Sequence, residues 1–238
     1  MNGFKTLIYE KRDGIAYVTL NRPQVLNIYN IQMRDDLYEV LRAIKGDSEV
    51  KVAIFKGAGG KAFCAGADLS EFLTAPSPVV ARQVRFERDV WGLFLSIPQP
   101  LIVCLHGYVL GSGIEIALCC DIRIASEDVH FGLPEVGLGI IPAAGGTQTL
   151  PRIIGLARAL EMLLTSRWIG GEEAFRFGLV NRVVPKEKLY QTAEEMAKKI
   201  SCYPPNAVWK AKQAIIRGLD LSLSEGLDVE RKLASGLA

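Results

Sequence analysis

The chain of 238 residues holds only two histidines, His106 and His130, and no Gly-x-Ser-x-Gly turn, so a Ser–His catalytic triad has no support. Its five cysteines (Cys64, Cys104, Cys119, Cys120 and Cys202) include no CxxC pair. That odd, scattered set argues against a disulfide framework or a zinc site. It favours reduced core thiols in a cytosol-like compartment, and the expected location is cytoplasmic. No HExxH motif or His/Cys/Asp cluster offers a metal site. A net charge of only +2 supplies no bulk field for nucleic acid or a membrane surface. The most apolar stretch, residues 100–120, is broken by His106 and Glu115 and crowded with glycine, so it reads as strand, turn and helix rather than a membrane span. The first fourteen residues lack the long apolar segment of a secretory signal.

What remains is an ordinary globular composition, 49% hydrophobic and 23% charged, in a chain long enough for a sizeable core. Residues 7–10 and 15–20 alternate in polarity around Lys11-Arg12-Asp13-Gly14 and predict a β-hairpin. Residues 31–44 have helical spacing, and residues 50–55 form a β-branched strand that runs into glycines 57, 59 and 60. A glycine-rich loop follows over residues 62–68, then one or two surface helices within residues 71–97. Strand 101–105, the turn 107–113, a helix from about 114 to 120 and strand 121–125 come next. From Gly145 the pattern is mostly helical, with a short strand at 181–184. Strands alternating with helices predict an α/β sheet, followed by helices that pack on it or mediate assembly.

Gly111-Ser112-Gly113-Ile114-Glu115 follows a predicted strand and opens a helix. A dinucleotide fingerprint would need a third glycine where Ile116 stands. The turn still leaves backbone N–H groups unpaired for an oxyanion, and glycine lets a substrate come close to them. Ala65-Gly66-Ala67-Asp68 is a second turn of this kind, and two such turns can aim two donors at one carbonyl oxygen.

Glu115 lies in the first turn of a helix that is apolar all round, which predicts a buried carboxylate. The bland alternative is an exposed acid favoured by the helix dipole. Glu135 stands between Leu133-Pro134 and an apolar, glycine-punctuated stretch, and its bland alternative is a surface turn acid. Two carboxyl groups in apolar surroundings can divide acid and base roles.

At these residues the sequence closely resembles the enoyl-CoA hydratase/isomerase (crotonase) family. The resemblance runs through Asn21-Arg22-Pro23 with Leu26-Asn27, residues 62–69, residues 107–115, residues 120–125, Phe131-Gly132-Leu133-Pro134-Glu135, Gly139-Ile140-Ile141-Pro142, Gly145-Gly146-Thr147-Gln148 and residues 178–185. It implies an α/β fold, a crotonase-like spiral of β-β-α repeats over residues 1–190. A helical C-terminal trimerisation region over residues 191–238 would assemble homotrimers or hexamers (dimers of trimers). It also implies that the amides of Ala67 and Ser112 form an oxyanion hole for the thioester carbonyl of an acyl-CoA. Glu115 would be the base that activates water, and Glu135 the donor of a proton to the α-carbon. Leu26, Ala65, Gly66, Asp68, Leu69, Tyr108, Leu110, Gly111 and Pro134 are the remaining substrate and CoA contacts so implied. No metal and no separate cofactor is implied, because coenzyme A is part of the substrate.

Two departures stand out. Ser112 replaces the middle glycine of the family's Gly-Gly-Gly turn, keeping the amide but adding a side chain. The chain also ends ahead of the basic terminal helix that the resemblance implies over the CoA site, so a shortened C-terminal region is the expectation. Hydration of a 2-trans-enoyl-CoA is the leading reading, because the family's isomerases lack an acid at position 115. Δ3-Δ2 double-bond isomerisation and hydration of a cyclic dienoyl-CoA are its alternatives. A binding role is the reading from another class, since some relatives bind RNA. Lys210, Lys212 and Arg217 on helix 207–217 would be its basic patch, against the simpler reading of a solvated helix face.

Overall fold

The computed structural model describes residues 3–72 and 88–237. β1 (Leu7–Arg12) and β2 (Ile15–Leu20) form the expected antiparallel hairpin across Asp13 and Gly14. Both turn residues have positive φ, 52° and 73°, which matches the twist of the flanking strands. α1 (Ile31–Gly46) starts at Asn30, whose side chain accepts from the Met33 amide. It buries Met33, Leu37, Val40, Leu41 and Ile44, the three-and-four spacing read from the sequence.

β3 (Val52–Gly57) and β4 (Ala62–Cys64) come next, then α2 (Leu69–Phe72) and α3 (Val90–Ser96). β5 (Leu101–Leu105), β6 (Tyr108–Leu110) and α4 (Ser112–Leu118) repeat the order, as do β7 (Ile122–Ser126), β8 (His130–Gly132) and a 3-10 turn at Pro134–Leu138. The strands build two sheets. One has the order β1-β2-β3-β5-β7-β10 and the other β4-β6-β8-β9, where β9 is Ile169–Gly170 and β10 is Arg182–Val184. Among the described strands only β1–β2 and β8–β9 pair antiparallel, besides an isolated antiparallel bridge between Ala62 and Gly107. Successive repeats therefore lay one strand in the large sheet, the next in the small sheet, and return, which makes a spiral of β-β-α units.

The large sheet is covered on both faces, as parallel sheets are. Tyr17, Val52, Ile54, Ile102, Cys104 and Ile124 face α8 (Leu189–Ser201) through Leu189, Ala193 and Ala197. Alternate residues, among them Val18, Ala53, Phe55, Val103 and Leu105, face the main core with α1 and α4. α5 (Gly146–Ile154), α6 (Leu156–Thr165) and α7 (Gly171–Phe177) follow the 3-10 turn. α9 (Pro205–Gly218) and α10 (Leu223–Ser235) pack on each other and bury no residue fully.

The structure adds short strands that the sequence reading does not predict, β9 at residues 169–170 among them. The loop 62–68 begins as β4, the turn 107–113 contains β6, and residues 130–132 form β8. A three-residue strand is too short to show period-two alternation, and only pairing across the small sheet creates it. α3 falls within the expected helical stretch 71–97, whereas residues 73–87 of that expectation lie outside the described residues.

Candidate active site

The site grows from two loops clamped together. Asn27 is fully buried, and its side-chain amide donates to the carbonyls of Ala58 at 2.9 Å and Ala62 at 3.0 Å. Its Oδ1 accepts from the Arg22 amide at 2.9 Å. Leu26 and Asn27 both adopt left-handed φ, 57° and 55°, which costs a bulky residue energy and needs such anchoring. The clamp carries on along the chain. The Ala65 amide donates to Leu26 O, the Tyr29 amide to Gly66 O, and the Asp68 amide to Tyr29 O. Arg22 reaches Ile28 O at 2.8 Å and stands 3.7 Å from Asp68. These bonds hold residues 65–68 in place while the Ala67 amide has no backbone acceptor among the described residues.

The second turn is set by close backbone approach. Gly111 has φ 48° and ψ −120°, a conformation open to glycine, and its amide donates to Gly132 O. A Cβ there would stand 2.9 Å from Glu135 Oε1 and 3.5 Å from the Gly66 Cα. At Gly113 a Cβ would fall 2.2 Å from Cys64 O, so α4 starts flush against the end of β4. Gly66, Gly111 and the Glu135 carboxyl therefore meet at one point. The Ser112 amide, first in α4, also has no backbone acceptor among the described residues.

All seven residues of α4 are buried, and Glu115 is 3% exposed. The Ala144 and Gly146 amides donate to its Oε1 at 2.8 and 2.9 Å, which satisfies the buried acceptor. Gly146 is required there, since a Cβ would press within 3.0 Å of Oε1. Glu135, second in its 3-10 turn after Pro134, is treated differently. Its Oε2 is buried with no partner among the described residues. Burial pushes the carboxyl up to about 6, and the charge of Glu115 adds to the rise. The two acids thus sit in unlike environments: Glu115 is held by the amides of Ala144 and Gly146, whereas Glu135 has only its own backbone amide as donor and keeps Oε2 without a partner among the described residues.

The remaining expected residues divide. Leu110 lies directly before Gly111 on β6, and Asp68 accepts from the Ser70 hydroxyl. Leu69 opens α2 and is exposed. Tyr108 carries its ring into an aromatic cluster, 5.8 Å from His130 and 5.9 Å from Trp168. His106 is buried with Nε2 on Gly59 O at 3.0 Å, and burial lowers its pKa, the behaviour of a structural imidazole. An open cleft of about 280 Å³ runs beside the clamp, between residues 23–27 and 58–62, with Leu26 and Lys61 in its wall. Lys61 escaped the sequence reading of the site, its only signal being its position beside Gly59 and Gly60. Asn27 stood within a motif of the family resemblance, but its clamp role is visible only in the fold.

Among the described residues no His/Cys/Asp/Glu group could hold a metal ion, and no helix is long and apolar enough to cross a membrane. The basic patch is partly consumed internally. Lys212 bonds Asp121 at 2.6 Å and Gln99 O at 2.9 Å, while Lys210 bonds Gly236 O.

The sequence model of one family, described as enoyl-CoA hydratase/isomerase, matches residues 10–237. The chain belongs to that family. A short-chain-enoyl-CoA hydratase of Clostridium acetobutylicum is 42% identical over 94% of this chain and 86% of its own length. The (E)-benzylidenesuccinyl-CoA hydratase of Thauera aromatica is 39% identical over 92% of this chain and 85% of its own. The crystal structure of an enoyl-CoA hydratase from Bacillus anthracis superposes with a TM-score of 0.93 at 38% identity. It covers 98% of this chain and 90% of that one. Family membership accounts for the two mixed sheets and the C-terminal helices, and it implies acyl-CoA substrates.

Proposed function

We propose that this protein is an enoyl-CoA hydratase, adding water syn across a 2-trans-enoyl-CoA to give a 3-hydroxyacyl-CoA, and running the reverse dehydration. The observation that carries the proposal is the unequal pair of coupled carboxyls, the half-buried Glu135 at the Gly66–Gly111 junction and the buried Glu115, near two amides without backbone acceptors among the described residues. In this reading the Ala67 and Ser112 amides hold the thioester oxygen and stabilise the enolate that forms on it. Glu115 takes a proton from water as its oxygen adds to the β-carbon. Glu135 gives a proton to the α-carbon and is suited to the task, because a carboxyl at about 6 still carries protons near neutral pH. The two protons then re-equilibrate within the pair before the next turnover.

The cleft beside Leu26 fits the nucleotide end of coenzyme A, with Lys61 as a cation for its phosphates. Within the same proposal residues 191–238 serve as the assembly region. The protein forms trimers or dimers of trimers, which would cover the exposed Leu156, Leu164, Leu219 and Leu223. The test is loss of the conjugated thioester absorbance of crotonyl-CoA on hydration. Native protein should hydrate it. E115Q and E135Q should each lose roughly 10²–10⁴-fold in kcat while still binding a CoA ester. Full activity in either variant would sink the assignment.

A further inference from the structure

Ser112 carries a feature that two backbone amides do not use. The residue is 8% exposed and its hydroxyl makes no hydrogen bond with a described residue, yet the hydroxyl is not among the fully buried unpaired atoms, so it opens onto accessible space. The direction of its Cα–Cβ bond follows from the backbone. Gly113 fixes the start of α4 against Cys64 O, and in a helix both the N–H and the Cα–Cβ bonds lean toward the N-terminal end. The Ser112 side chain therefore leaves the backbone on the same side as the Ser112 amide, beside Gly111 and across from the loop that presents Ala67.

We propose that the Ser112 hydroxyl is a third hydrogen-bond donor to the thioester carbonyl oxygen of the substrate, working with the Ala67 and Ser112 amides. This rests on the hydratase reading above and deepens it. The hydroxyl hydrogen turns toward the ligand oxygen, no bond is made or broken, and the donor strengthens its hold as negative charge grows on that oxygen. The unpartnered state in the free protein is what makes the hydroxyl ready, because no internal bond has to be given up first.

The experiment compares native protein with S112A and S112G in two measurements. One is steady-state crotonyl-CoA hydration. The other is the absorption of bound 4-(dimethylamino)cinnamoyl-CoA, a slow-reacting enoyl thioester whose band moves to the red as its carbonyl is polarised. Both variants keep the backbone amide, and S112A also keeps the Cβ, so packing and hydrogen bonding are separated. The expected result is a smaller red shift in both variants. It should come with a kcat lower by about tenfold and a KM changed less than threefold, the scale of one neutral hydrogen bond felt mainly in the transition state. Native red shift and native kcat in S112A would overturn the proposal and leave the hydratase reading intact. So would a faster S112G, which would make the side chain an obstruction. If native protein neither hydrates crotonyl-CoA nor shifts the probe, the hydratase reading fails and this proposal falls with it.

Discussion

Glu135 offers a prediction that can be worked through from the structure. Its carboxyl is half-buried, has one oxygen without a partner, and is pushed from the ordinary 4.5 up to about 6, chiefly by burial. A carboxyl with a raised pKa in the fold holds its proton there after the unfolded chain has released its own. Between about pH 4.5 and 6 the folded state therefore binds more protons, and stability falls as pH rises through that window. The full displacement corresponds to about 2 kcal/mol. The carboxyl is partly open to solvent, so screening reduces this to about 1 kcal/mol. Glutamine keeps the shape and removes the charge. E135Q should consequently gain about 1 kcal/mol on native protein at pH 8 relative to pH 4.5. Denaturant unfolding followed by tryptophan fluorescence, at one protomer concentration in both buffers, measures the difference. A native–E135Q gap that is the same at both pH values, or that favours native protein at pH 8, would refute the reasoning about burial.

Three other perturbations separate structural from chemical roles. E115A strips the acceptor from the Ala144 and Gly146 amides and should cost roughly 2–4 kcal/mol in denaturant unfolding. E115Q, which keeps an oxygen there, should unfold within about 1 kcal/mol of native protein. N27A removes bonds to Arg22, Ala58 and Ala62 and should lower stability by about 2–3 kcal/mol. Its KM for crotonyl-CoA should rise, because the loop presenting Ala67 loses its anchor. G111A places a Cβ 2.9 Å from Glu135 Oε1 in a backbone conformation that alanine resists. It should cost about 1–3 kcal/mol and most of the hydration rate, seen in parallel melts and absorbance assays.

Much of the frame was legible because long elements carry their own period. The hairpin 7–20, α1 and β5 lie where alternation and three-and-four spacing put them. The glycine turns were visible as composition, and Glu115 as a charge inside an apolar helix. The short strands β4, β6 and β8 were not legible, since three residues hold no pattern apart from their neighbours in the sheet. The basic patch near the C-terminus looked like a surface, but Lys212 turns inward to Asp121, ninety-one positions away.

The sequence by itself determined the family, the order of the elements and which two acids to watch, because these depend on local spacing and motif order. Only the tertiary structure decided how the acids differ. Glu115 finds its donors in residues 144 and 146, about thirty positions downstream, whereas Glu135 has only its own amide and is left against Gly111, with Oε2 unpaired among the described residues. Desolvation and hydrogen bonding are properties of what surrounds an atom in space. For that reason the chain listing shows two like carboxylates, and the fold makes them unlike.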